Sequence, residues 1–91
     1  MNNELTELQF QILDSVYFVE SFDHIVEEAM ESTAVVKDEL RTMIDRGLIQ
    51  VMMFDKGKGD FVRTSIFDAD NMQEYSFLAT KDGLLKHNGF R

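Results

Sequence analysis

Ninety-one residues with 44% apolar content suffice for one hydrophobic core, so a single domain over residues 1–91 is expected. The absence of Cys excludes a disulfide framework, thiolate chemistry and Cys-ligated zinc, and no run of about 18 apolar residues is present that would cross a membrane. The net charge of −8 is uneven: residues 1–36 carry eight acids and no Lys or Arg, whereas residues 37–91 carry all nine basic residues and nine acids.

The opening Met1-Asn2-Asn3-Glu4 is polar and acidic, unlike the basic start of a secretory signal, and a cytoplasmic location is expected. Thr6-Glu7-Leu8-Gln9 is a capping-box pattern that starts a first helix, with Leu5 and Phe10 spaced for a hydrophobic staple. Leu8, Ile12, Val16 and Val19 follow helical spacing on one flank, and Phe10, Leu13 and Tyr17 on another. That is more apolar surface than a small core needs. It predicts a homodimer paired through the first helix (Phe10, Leu13, Tyr17, Phe18), the closing helix (Leu84, Leu85, Phe90), or both. Ser21 or Asp23 caps a short second helix reaching about Met30. Ser32 caps a third, in which Val36, Leu40, Met43 and Ile44 share a face and Gly47 supplies the stop.

Residues 48–54 read as a strand, Asp55-Lys56-Gly57-Lys58-Gly59-Asp60 as a loop, and residues 61–67 as a second strand. A turn at 68–71 and a strand at 75–79 follow. Thr80 then caps a last short helix closed by Gly89. The expected class is α+β, mainly α: three helices, a β-hairpin and a closing helix.

Three local patterns, in order, resemble the winged helix-turn-helix superfamily and in particular MarR-type and PadR-type bacterial regulators. They are Leu5-Thr6-Glu7-Leu8-Gln9-Phe10, the third-helix run from Ser32 through Val36, Leu40 and Met43 to Gly47-Leu48-Ile49, and Tyr75-Ser76-Phe77-Leu78-Ala79-Thr80-Lys81-Asp82-Gly83. The resemblance spans about residues 5–85. It implies a DNA-binding transcriptional regulator, with the third helix in the major groove and the hairpin, or wing, along the backbone. On that reading Thr33, Lys37 and Arg41 lie on the reading helix, and Lys56, Lys58 and Arg63 on the wing. The sequence departs from the family where Met30 and Glu31 replace the usual glycine and apolar residue between the second and third helices. It departs again at residues 55–74, which exceed a minimal wing.

Charge supports a different class of function. Asp38 shares the reading face, while Asp23, Glu27, Glu28 and Glu31 crowd the second helix. An acidic winged-helix module that docks a basic protein partner is therefore the alternative to double-stranded DNA binding. The bland reading of Lys37, Asp38 and Arg41 is a solvated helix face with an intrahelical ion pair worth about 0.3 kcal/mol. No enzyme, cofactor or metal site is expected. His24 beside Glu27 and Glu28 lacks a second nearby His, Gly57-Lys58-Gly59 lacks the phosphate-loop spacing, and Ser15, Thr64 and Ser65 have no partnered base.

Overall fold

Helix α1 (Glu7–Ser15) begins where the capping box places it: Thr6 Oγ1 accepts from Gln9 N at 3.1 Å, and Gln9 Oε1 accepts from Thr6 N at 3.0 Å. The structure, a computed structural model, describes residues 5–89. The helix stops one turn earlier than the apolar spacing suggests, because Val16 already leaves helical geometry at φ −112°, ψ 26°. Val19 consequently lies beyond it, leading into a two-residue strand β1 (Glu20–Ser21) that periodicity did not reveal. Two residues carry no period to read.

Ser21, not Asp23, caps α2 (Phe22–Ala29), accepting from His24 N at 3.2 Å. Met30 ends α2 in the left-handed conformation, φ 56° and ψ 37°, a conformation that glycine adopts more readily. A side chain that is 88% exposed meets no tertiary clash there, which limits the cost to local backbone strain. Ser32 caps α3 (Thr33–Asp45), and Gly47 at φ 76° turns the chain into β2 (Ile49–Asp55).

Strand β3 (Asp60–Thr64) returns antiparallel to β2, a 3-10 helix spans Ala69–Glu74, and β4 (Ser76–Ala79) leads into α4 (Lys81–His87). The described residues thus form an α+β arrangement of five helices and a four-stranded antiparallel sheet in the order β1-β4-β2-β3. The hairpin expected after the third helix is β2–β3, but β4 pairs on the opposite side of β2 and joins it to β1. The long 55–74 stretch therefore contains the hairpin turn, the second hairpin strand β3 and a 3-10 helix. The latter is anchored by Met72, which is 1% exposed.

The core forms where α1, α2 and α3 meet one face of the sheet: Ile12, Leu13, Val16, Ile25, Val36, Leu40, Met43, Leu48, Val51 and Phe77 are all buried. Leu8, expected inside, is only half-buried against this core. Leu13, expected on a dimer flank, is fully enclosed by its own chain.

Candidate interaction surfaces

The outward face of α3 follows from its core contacts. With Val36, Leu40 and Met43 buried, helical rotation sets Asp38, Arg41 and Asp45 on the opposite side, and all three are exposed. Thr33 is exposed in the first turn. Lys37 sits on the flank toward the 3-10 helix, its ammonium 3.9 Å from Asp70 Oδ1. Asp70 is 89% exposed, so the pair adds little stability, yet it offsets the positive potential of Lys37. No intrahelical ion pair forms among Lys37, Asp38 and Arg41 in the described residues.

Asp68 adds a second carboxylate nearby. Hydrogen bonds from the Asp70 backbone N–H and the Asn71 side-chain amide hold its carboxyl below the usual range, with a smaller contribution from Lys37. The 3-10 helix thus brings acid to the flank of α3. The chain separates these residues by about thirty positions, so no local signal in the sequence revealed the contact.

Lys56, Lys58 and Arg63 lie on the β2–β3 hairpin and are exposed. Along with Arg41, they have no salt-bridge partner among the described residues. Arg46, likewise without a salt-bridge partner among the described residues, lines a cleft of about 300 Å³ with Leu48, Asp82, Leu85 and Lys86, beside α4. The acids of the hairpin are occupied locally. Asp55 Oδ1 accepts from Gly57 N at 2.8 Å and from Lys58 N at 3.2 Å, and Asp60 Oδ1 accepts from Phe61 N at 2.7 Å.

The hairpin exposes apolar side chains that the strand pattern of residues 48–54 does not distinguish from core positions. Phe54 and Phe61 are cross-strand neighbours in edge-to-face contact at 5.3 Å, 52% and 38% exposed. Strand alternation places them on the face opposite the core, together with Met52 and Arg63. Met53, on the other face near the tip, is 48% exposed.

The helical side of the molecule carries the opposite charge. Glu27, Glu28 and Glu31 are exposed around the end of α2 and flank the exposed Met30. His24, in the first turn of α2, sits 2.5 Å from Glu20 Oε1 and 3.7 Å from Glu28 Oε2. The hydrogen bond and charge of Glu20 raise its pKa above the ordinary imidazole value, with smaller contributions from Glu28 and Glu27. Among the described residues no group of three or more His, Asp or Glu could hold a metal ion.

Much of the apolar flank assigned to a dimer is used within the chain. The ring of His87 stacks on Phe10 at 4.2 Å, with an interplanar angle of 18°, and meets Tyr17 edge-on at 5.0 Å. The Tyr17 hydroxyl donates to Asn88 Oδ1 at 2.9 Å and shares a 2.7 Å hydrogen bond with His87 Nδ1. His87 Nε2 lies 3.3 Å from Asp14 Oδ1, within ion-pair reach but outside hydrogen-bond geometry. These contacts clamp α4 on α1 across some seventy positions of sequence. Phe18, 81% exposed, and Leu85, 50% exposed, remain open, while Phe90 lies outside the described residues.

No helix of the described residues is long and apolar enough to cross a membrane. No family model, no characterised protein and no solved structure matches this chain.

Proposed function

We propose that this chain is a winged-helix-like domain that docks a basic, partly apolar protein segment on the acidic end of α2, rather than a reader of duplex DNA. The winged-helix part of the reading is supported by the helix pair α2–α3 around a left-handed Met30, and by β1 pairing with the last strand of the sheet. The observation that carries the rest is the charge on α3. Its outward face sets Asp38 and Asp45 around a single Arg41, and Lys37 faces Asp70. A helix entering the major groove lies among phosphates, where uncompensated carboxylates are repelled.

One observation favours the DNA reading: Arg41, Lys56, Lys58 and Arg63 are exposed and free of ion pairs among the described residues. Titration of the protein with labelled random duplex DNA at roughly 50 mM salt, where non-specific binding is strongest, separates the two readings. The expected result is no change in anisotropy. Saturable binding that falls steeply with salt would overturn the proposal. In that event Arg41→Ala should cost about 1–3 kcal/mol, and Lys58→Ala should flatten the salt slope by about one unit.

A further inference from the structure

The hairpin and the end of α2 are complementary in both charge and apolar content. The hairpin offers two half-exposed aromatic rings, Phe54 and Phe61, rimmed by Lys56, Lys58 and Arg63. Asp55 and Asp60 accept backbone N–H hydrogen bonds at the turn, and neither forms an ion pair with Lys56 or Lys58, so both ammonium groups stay free to meet an outside carboxylate. The end of α2 offers the opposite arrangement. Met30 is 88% exposed, and Glu27, Glu28 and Glu31 surround it with no Lys or Arg in salt-bridge range among the described residues.

We infer that the basic partner of α2 is a second copy of this chain, with the β2–β3 hairpin of one copy seated on the Glu27–Glu31 end of α2 in the other. Met30 then meets the Phe54–Phe61 pair, a thioether-on-aromatic contact, while Lys56 and Lys58 face the three glutamates. The face of the hairpin makes the contact, not its open edge. Asp60 Oδ1 already accepts from the Phe61 N–H, which removes one backbone donor of β3 from pairing with another strand.

A single hairpin tip falls short of the roughly 1,200 Å² that a specific interface buries. Two reciprocal contacts about a two-fold axis supply twice the area and close the assembly as a dimer. Each copy carries −8, so the bodies repel at low salt. Near physiological salt that repulsion is screened beyond about 8 Å, whereas charges in contact still attract. Dimerisation should therefore be strongest at intermediate ionic strength and weaken on either side.

The inference deepens the interaction reading and rests on it, but the duplex titration tests that reading independently. Sedimentation equilibrium from about 10 µM to about 1 mM protein, a range suited to a weak complex, is the test. The wild type is expected to move from monomer to dimer mass. Glu27→Lys/Glu28→Lys and Lys56→Glu/Lys58→Glu should each remain monomeric with unchanged melting curves, and an equimolar mixture of the two should recover the dimer. Phe54→Ser should weaken dimerisation at least tenfold. A wild type that stays monomeric, a charge variant that dimerises as the wild type does, or a mixture that fails to recover the dimer would overturn the inference.

Discussion

His24 shows how a single side chain takes its properties from its neighbours. It sits in the first turn of α2, where the helix dipole disfavours a cation. The carboxylate of Glu20, one turn back, outweighs that effect and raises the imidazole pKa. A folded-state value above the unfolded one means protonation stabilises the fold. That contribution is fully present below the unfolded value of about 6.5 and is lost as pH rises through the higher folded value. An NMR titration of the ring should give a midpoint above 6.5, the ordinary imidazole value. Glu20→Gln should bring that midpoint down, and an unchanged midpoint would mean Glu20 is not the cause. Met30 illustrates the reverse case, in which the backbone overrules the residue. The turn into α3 demands a left-handed conformation that Met supplies less readily than glycine.

At the level of elements, the junction of α4 with the rest of the chain rests on close approach. Thr80 Oγ1 accepts from Gly83 N at 3.0 Å to start α4 and donates to Gly47 O at 2.6 Å, while Thr80 N donates to Leu48 O at 3.0 Å. A Cβ on Gly83 would lie 2.1 Å from the Leu48 carbonyl oxygen and 3.1 Å from Leu13 Cδ2. The first of these contacts is backbone and cannot rotate aside. Gly83→Ala should therefore destabilise the fold by about 3 kcal/mol, although alanine is the better helix former, and a lower urea midpoint would register it. A gain in stability would show that α4 does not dock where the structure places it. Gln9 joins two elements at once: it completes the cap of α1 and donates from Nε2 to Glu39 Oε2 on α3 at 2.7 Å.

For the whole molecule, stability depends on one core shared by all three leading helices and the sheet. Leu40, fully buried, lies near its centre on α3. Leu40→Asp would place an unpaired carboxylate there, and cooperative unfolding should be lost, as read from a thermal melt followed by circular dichroism. A variant that melts like the parent would show that the helical register of α3 is wrong. Charge is distributed at the same scale. Glu27, Glu28 and Glu31 cluster at the end of α2, whereas Lys56, Lys58 and Arg63 on the hairpin have no ion-pair partner among the described residues. A net charge of −8 thus includes a local cluster of acids on α2 and a local cluster of unpaired bases on the hairpin.

Helix starts, and the stop of α3, were legible from the sequence because their causes are local, whereas the end of α1 at Ser15 was not. Thr6 with Gln9, Ser32, Gly47 and Thr80 act within three or four residues, and each does what its type and position imply. The core stripe of α3 was legible for the same reason, since burial repeats with the helical turn. Contacts between distant segments were not. The sequence contains no local sign that Asp70 would face Lys37, that His87 would stack on Phe10, or that β4 would pair with β1 and β2 instead of β3. Apolar residues have the same ambiguity. Leu13 and Phe54 look alike as hydrophobic positions, yet one is fully buried in the core and the other lies half-exposed on an outer sheet face. Composition sets how much apolar surface the chain carries. Only the tertiary packing decides which of it is left for another molecule.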